Sequence, residues 1–332
     1  GESQRYDMHP IVRHYAYDKF AAPNKTDAHT RLVNYFEAVP ALQTVTTLED
    51  LAPVIELYHH MVRAGNLDEA VKLFYDRLNK PLYFQLGAYQ VFIELQSALF
   101  DEKTQLPKLK NESFQARVLN DIGGAYAMSG QPRQVVPLVL ASNEFDEKRG
   151  DKKGVAIGLG NVATQQLVIG ALSAAEHNNR RRIEVCHEIN DEHSEAIGHR
   201  ELGRVLFYRG EWNDSEQELE IAEKLFEKEK HVQSLSVTWS YRALRFLLIT
   251  RSNPQSPIAN LKSSPECAQR ALDLADETAK PNSGFVYPIR DYVRGYWLLG
   301  AAYRMNNELA LTEENLSKAL NLCRQINNVE TE

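Results

Sequence analysis

Three features are scarce in this chain of 332 residues: cysteine, long apolar runs and positive charge. Its three cysteines, Cys186, Cys267 and Cys323, are far apart, which excludes a disulfide framework and is typical of a protein of the reducing cytoplasm. No apolar run approaches the roughly 18 residues of a membrane-spanning helix, so we expect no membrane partner. Lys and Arg number 38 against 45 Asp and Glu, and the net charge of −7 argues against direct nucleic-acid binding.

Motifs for catalysis, metal ions and nucleotides are missing as well. No P-loop occurs, and residues 158–163 (GLGNVA) match the dinucleotide fingerprint without the strand that must precede it. His187 and His193 are six residues apart, which places them on different helix faces, unlike the i, i+4 pair of a zinc helix. We therefore predict that this chain is not an enzyme and has no catalytic, cofactor-binding or metal-binding residues.

A helical hairpin is the clearest pattern that is present. Residues 196–228 (AIGHRELGRVLFYRGEWNDSEQELEIAEKLFEK) carry apolar side chains at spacings of three and four on both sides of a turn. Gly203 would let a second helix pack close, and Gly210 would end the first helix in a left-handed conformation. Asn213 is predicted to cap the second helix, with Glu216 completing a capping box.

The hairpin pattern recurs along the chain. Gly123 is followed by a turn at Gly130 and by Pro132 at a helix start, where its missing N–H has no cost. A Leu-Gly pair opens a further copy at Gly160 and the last copy at Gly300. Matching Gly123, Gly160 and Gly203 gives spacings of 37 and 43 residues. Such periods with a Leu-Gly, Tyr and Ala pattern resemble lengthened tetratricopeptide repeats, which implies an all-α, right-handed α-solenoid of stacked hairpins.

The N-terminal residues carry a second resemblance. Residues 6–20 read YDMHPIVRHYAYDKF, and the run HPIVRHYA resembles the last helix of the winged-helix element in STAND signalling ATPases of the NB-ARC group. Because the chain begins with Gly1, we expect an excised fragment. The resemblance implies a tail of that module at 1–22, a linking helix at 23–47 and a repeat array at 48–332. ATP or ADP would then bind to the missing upstream module.

Irregular joins are expected within the array, near 101–112 and 252–265, where Pro and polar residues collect. Before the first join, residues 82–100 (LYFQLGAYQVFIELQSALF) are predicted to form the opening helix of a second unit. After the second join, the final unit is predicted to run from about residue 287 to 326.

Arginines and aromatic residues collect on the predicted groove side of the first helices, whereas the second helices carry acids. Arginine suits bidentate recognition of carboxylate or phosphate, so this stripe is a candidate binding surface. The alternative is that the arginines pair with acids of adjacent helices or are simply solvated. The candidate groove residues are Asn161, Gln165, Arg200, Arg204, Tyr208, Tyr241, Arg245, Arg290, Arg294, Trp297 and Arg304.

Two classes of function remain open. The STAND resemblance implies a cytoplasmic sensor array that binds a peptide, a protein or an anionic small molecule in its groove and relieves autoinhibition of its own upstream ATPase domain. The alternative is a scaffold for protein–protein interaction, or the regulatory arm of a transcription regulator. A P-loop upstream of Gly1 would distinguish the sensor from the scaffold.

Overall fold

The computed structural model describes residues 15, 17, 19, 22–40, 45–253, 255, 263–279 and 288–325. This part of the chain is α-helical and contains no β-strand, only an isolated bridge between Phe100 and Pro107. The prediction of an all-α chain is confirmed. Most of the predicted N-terminal tail (1–22) and most of the predicted join at 252–265 lie outside the described residues.

The chain divides into two compact units, Gly1–Val118 and Leu119–Glu332. Within the described residues, the first unit contains α1 (Ala22–Glu37), α2 (Ala52–Arg63), α3 (Leu67–Leu73) and α4 (Tyr89–Ser97). Helix α5 (Glu112–Met128) contains the boundary between the units. Residues 101–111, where the sequence predicts an irregular join, are not helical.

An aromatic core holds the first unit together. Tyr58, Phe74 and Phe92 are fully buried, and their ring centres are 5.8 Å apart for the first pair and 5.0 Å for the second. The Tyr58 hydroxyl donates a hydrogen bond to the carbonyl oxygen of Leu95 over 2.9 Å, which satisfies the polar end of a buried ring.

The prediction of one opening helix over residues 82–100 is wrong. Residues Phe74–Leu78 and Pro81–Gln85 are π-helical extensions of α3, and Gly87, at φ +60°, separates them from α4. Pro81 lacks an N–H and its ring excludes the carbonyl of the preceding turn, which widens the helix. The π-helical pattern is seen in two hydrogen bonds that each reach five residues back, from the Asn79 amide to the Phe74 carbonyl and from the Leu86 amide to the Pro81 carbonyl.

The second unit is a stack of helical hairpins. Its remaining helices are α6 (Pro132–Lys148), α7 (Lys152–Val168), α8 (Leu172–Glu188), α9 (Glu192–Arg209), α10 (Trp212–Glu229), α11 (Val232–Ser252), α12 (Ser263–Thr278), α13 (Pro288–Met305) and α14 (Leu309–Gln325). Consecutive helices pair as α7/α8, α9/α10, α11/α12 and α13/α14, and Gly123 of α5 approaches Val135 and Val139 of α6 in the same way. These are tetratricopeptide-like hairpins, and the predicted fold class, an α-solenoid, is confirmed.

The turns of the second unit follow a regular rhythm. Residues with positive φ recur every twenty positions, at Gly130, Gly150, Gly170, Asn190, Gly210 and Lys230. Each ends one helix in the left-handed region, where Gly has no steric penalty and Asn a small one. The hairpin repeat is therefore 40 residues long through this region. Matching turn to turn places Gly123, Ala163 and Gly203 at the same position, so the predicted match of Gly160 with the other two glycines is wrong.

Gly203 brings the two helices of one hairpin into close approach. A Cβ on this residue would lie 2.9 Å from Leu219 Cγ and 3.0 Å from the Ser215 carbonyl oxygen of α10. The Ser215 hydroxyl donates to the Gly203 carbonyl over 2.8 Å. The predicted cap at Asn213 is wrong, because α10 already begins at Trp212 and Glu211 is its N-cap residue.

The first helices of neighbouring hairpins contact each other directly: α7 contacts α9, α9 contacts α11, and α11 contacts α13. We call these four helices, together with the α5 residues of the second unit, the first-helix row. The candidate groove residues all lie on helices of this row.

Candidate functional site

Three residues mark the same level on successive helices of the first-helix row. Asn161 on α7, Glu201 on α9 and Tyr241 on α11 are separated by one 40-residue repeat each. Asn161 Nδ2 donates to Asn120 Oδ1 on α5 over 2.9 Å. The Tyr241 hydroxyl donates to the two carboxylate oxygens of Glu201 over 3.2 and 3.3 Å. Polar contacts therefore connect neighbouring first helices at this level.

An arginine cluster surrounds the Glu201 carboxylate; it consists of Arg182, Arg200, Glu201, Arg204 and Tyr241. Nε and Nη2 of Arg200 donate to Glu201 Oε1 over 3.1 and 3.0 Å. Nη1 of Arg204 donates to the Tyr241 hydroxyl over 3.2 Å and lies 3.6 Å from Glu201 Oε2. The guanidinium carbons of Arg200 and Arg204 are 5.8 and 5.1 Å from the Tyr241 ring centre, within cation–π range.

The third guanidinium group, that of Arg182, enters from α8, a second helix. A Cβ on Gly160 would collide with this guanidinium group, so α7 makes room for it by having no side chain there. Arg182 Nε has no hydrogen-bond partner, and Cys186 is the hydrogen-bonding neighbour of the side chain. Among the described residues, no carboxylate lies within ion-pairing distance of Arg182. The cluster thus combines three guanidinium groups with one carboxylate.

Burial and charge act in opposite directions on the ionisable groups. Burial raises the pKa of Glu201, but the charges of Arg200 and Arg204 outweigh it and hold this pKa below its usual range. Burial lowers the pKa of Arg182, because a desolvated cation without a paired acid is unfavourable. The neighbouring Tyr241 hydroxyl raises the pKa of Arg204. Glu201 is therefore an anion at neutral pH, and the cluster retains excess positive charge.

The cluster reaches solvent at Arg204. Its side chain is 26% exposed, whereas that of Arg200 is 12% exposed. Tyr208, one helical turn beyond Arg204, is exposed, and so is Val168, which holds the Tyr208 position on α7. An incoming group would thus meet positive charge beside exposed apolar side chains.

Two of the candidate groove residues occupy core positions instead. Gln165 and Arg245 are one repeat away from Val205 in either direction, and all three side chains are buried. Arg245 donates from Nε and Nη2 to the Trp212 carbonyl oxygen over 3.1 and 2.8 Å, and its Nη1 lies 3.0 Å from Glu216. The guanidinium group of Arg245 therefore holds the start of α10 against α11.

Arg242 supports the same helix. It lies 2.9 Å from Glu216 and 2.5 Å from Glu223, and its guanidinium group stands over the Trp239 ring. The two acids lie on α10, so the alternative in which arginines pair with acids of adjacent helices describes both Arg242 and Arg245. The predicted arginine stripe therefore contains two kinds of residue: buried arginines that pair with acids of α10, and the partly exposed arginine cluster.

The remaining candidates lie on α13, beyond α11 in the first-helix row. Arg294 pairs with Asp291 of the same helix over 3.1 Å, Trp297 and Arg304 are exposed, and Arg290 is half-buried. The structure does not bring these residues into the arginine cluster.

Sequence reasoning missed two members of the cluster. Arg182 lies on a second helix, where only acids were expected, and Glu201 is an acid within the predicted arginine stripe. The signal that could have found both is the 20-residue rhythm of the turns. In that register Glu201 holds the same repeat position as Asn161 and Tyr241. Arg182 holds the same repeat position as Ala222, which is a core residue.

The other motifs considered in the sequence are part of the helical framework. Residues 158–163 lie within α7, as expected from the helical pattern on both sides. His187 and His193 lie on different helices and face different acids, Glu195 and Glu229. In the described ranges, no three His, Cys, Asp or Glu side chains come together as a metal site. None of the helices in these ranges combines the length and apolar character that a membrane span requires.

Comparisons with known proteins identify a shared fold. No protein-family model matches the chain, and no curated protein matches it in sequence. The apo structure of RapI superposes with a TM-score of 0.56 at 12% identity, over 82% of this chain and 93% of RapI. The Rap conjugation gene regulator of plasmid pLS20, solved with the Phr* peptide, gives a TM-score of 0.50 at 13% identity, over 98% and 88% of the two chains.

A STAND protein with a tetratricopeptide-repeat sensor from Pyrococcus horikoshii is also similar. Its TM-score is 0.40 at 13% identity, over 95% of this chain and 54% of the STAND protein. A likeness of this size supports no conclusion about function.

Proposed function

We propose that the second unit binds a peptide or protein partner on its first-helix row, and that an acidic or phosphate-bearing group of the partner binds at the arginine cluster. The observation that carries this proposal is the imbalance of charge in the cluster. Three guanidinium groups face one carboxylate, and Arg182 is desolvated without an acid of its own. Arg182 is half-buried, and a largely desolvated charge without a paired acid is unfavourable in a purely structural role but typical of functional sites.

The form of the surface supports a peptide or protein as the partner. Exposed apolar side chains at Val168 and Tyr208 lie at the level of the helix ends beside the cluster, where they can pack against apolar side chains of an extended ligand. A Rap regulator with the same fold was solved in complex with a peptide, Phr*. Arginine provides the planar, bidentate donors that carboxylate and phosphate groups require.

Replacing Arg182 by Gln tests this function. The probes are two fluorescein-labelled peptides, one of six glutamates and one of alternating phosphoserine and glycine, with binding followed by fluorescence anisotropy at low salt. We expect binding to weaken about tenfold in Arg182→Gln, since one charge-assisted hydrogen-bonding group is lost. Added salt should weaken binding of the wild type, because partly exposed charges are screened over about 8–10 Å.

Arg181→Gln is the matched control. Arg181 is the neighbouring residue on α8, it is exposed and it pairs with Glu147, so the change in net charge is the same. We expect Arg181→Gln to bind as the wild type does. If neither peptide binds to the wild type, or if both variants bind alike, the arginine cluster is not the binding site.

We further propose that the array is the sensor of a STAND signalling ATPase and that the partner relieves autoinhibition of the upstream module. The resemblance of residues 6–20 to the end of an NB-ARC module supports this role; these residues lie almost wholly outside the described part of the chain. The test is a P-loop in the residues encoded upstream of Gly1, followed by a measurement of nucleotide hydrolysis. If a P-loop is absent there, the scaffold is the better description.

A further inference from the structure

Glu201 occupies the place in the arginine cluster where the anionic group of a ligand would bind. Its carboxylate accepts two hydrogen bonds from Arg200 and one, shared between its two oxygens, from the Tyr241 hydroxyl, and it lies within ion-pairing distance of Arg204. The corresponding residues one repeat earlier and later, Asn161 and Tyr241, carry no carboxylate. Asp121, two repeats earlier on α5, is also an acid at this level, so Glu201 differs from the hairpins on either side of it but not from every hairpin.

We propose that Glu201 is an internal competitor of the ligand and that the group which displaces it is a doubly charged phosphate ester. This inference rests on the proposed function of the arginine cluster. It specifies the chemistry of the ligand and identifies the residue that sets the selectivity.

The choice of phosphate follows from comparing the two anions in the same site. A carboxylate that replaces the Glu201 carboxylate makes the same kind of hydrogen bonds, so the exchange gains little. Glu201 is also tethered to the site, and a tethered group competes at an effective concentration of about millimolar or more. A phosphate ester carries about −1.5 to −2 charges and three acceptor oxygens. It can therefore bind Arg200 and Arg204 and also Arg182, which has no acid partner in the cluster.

The experiment compares the wild type with Glu201→Gln, which keeps the size of the side chain and removes its charge. The probes are inorganic phosphate at pH 8 and acetate, titrated while the Nε–Hε NMR signals of the arginine side chains are observed. In the wild type we expect phosphate to bind at least about tenfold more tightly than acetate, a difference of one charge-assisted interaction. In Glu201→Gln, both anions should bind more tightly, acetate should gain the most, and the preference for phosphate should fall.

Two further variants keep the test decisive. Glu192→Gln makes the same charge change at the start of α9, where Glu192 pairs with Lys228 on the surface, and should leave both affinities unchanged. Glu201→Asp keeps the charge on a shorter side chain that cannot reach both arginines. It should give an intermediate gain, and it replaces Glu201→Gln if that variant does not fold.

The outcomes distinguish failure of the competitor proposal from failure of the proposed function. If phosphate binds the wild type at the cluster but binds Glu201→Gln equally or more weakly, Glu201 is a positioning residue and the competitor proposal is wrong, while the proposed function stands. If acetate and phosphate bind the wild type alike, the phosphate preference is wrong. If neither anion shifts the arginine signals in any variant, both the inference and the proposed function fail.

Discussion

Arg245→Met removes the guanidinium group that holds the start of α10 against α11. The resulting loss in the free energy of unfolding follows from the contacts that are lost. Arg245 is 2% exposed; it donates two hydrogen bonds to the Trp212 carbonyl and pairs with Glu216. Removing one partner of a buried ion pair costs about 3–5 kcal/mol. Here Glu216 keeps Arg242 and is 28% exposed, and the Met side chain restores apolar burial. We therefore expect a loss of about 2–3 kcal/mol in the free energy of unfolding.

The three tryptophans make a direct assay possible. Trp212, Trp239 and Trp297 lie on α10, α11 and α13, so their fluorescence reports on unfolding of the second unit alone. For a unit of this size, the expected loss corresponds to a decrease in Tm of about 5–10 °C. Circular dichroism of the same samples separates a change near one tryptophan from a change in stability.

Arg182→Met is the matched comparison, because it makes the same substitution at a desolvated arginine that has no acid partner. We expect its stability to equal that of the wild type or to rise slightly, since a desolvated charge is removed. The reasoning is refuted if Arg245→Met is as stable as the wild type, or if Arg182→Met loses as much stability as Arg245→Met.

Two glycines of the first-helix row and one pair of histidines allow further tests. Gly203→Ala should lose about 1 kcal/mol, because overpacking against Leu219 and the α10 backbone outweighs the gain in helix propensity. Gly160→Ala should keep or gain stability and weaken phosphate binding, because the methyl group meets only the guanidinium end of the Arg182 side chain, which can move away. Equal changes in Tm for the two glycine variants would contradict these different roles of Gly203 and Gly160. In the first unit, His29 Nδ1 lies 3.0 Å from His60 Nδ1, and burial lowers the pKa of both rings below 6.5. The unfolded chain then takes up protons first, so stability is full above about pH 6.5 and is lost as the pH falls toward the folded pKa values. Urea unfolding of His60→Leu, followed by circular dichroism, should show a shallower loss between pH 7 and pH 5 than the wild type, and parallel curves would rule out the pair as its source.

The fold could be predicted from the sequence because its hairpins repeat locally readable signals. Gly210 ends a helix in the left-handed region, Pro132 stands at a helix start, and Gly203 permits close packing, as their residue types indicate. The register was harder to predict. A glycine in a Leu-Gly pair identifies a close approach but not its partner, and Gly160 makes room for an arginine of a second helix.

The candidate site was predictable only in part, because periodicity indicates a helix face and not the partners of a charged side chain. Arg200 and Arg204 lie in the cluster as a pair. Arg245, one turn from Tyr241, is buried and holds the start of α10. The helix start itself could not be located from residue preference. Asn213 is the stronger capping residue by type, yet the turn places Glu211 at the cap.

The even spacing of the turns makes the array modular at the level of the gene. Residues 171–210 begin directly after one left-handed glycine and end with another, and they contain one complete second helix followed by one complete first helix. Excising this block would join Gly170 to Glu211 and recreate the junction found at Gly210, with every remaining turn unchanged. Duplicating the block would lengthen the stack in the same way, whereas an insertion of any other length would disturb a turn. Chains of this type can therefore vary in length by whole 40-residue repeats, and the acid at position 201 would be gained or lost together with this block.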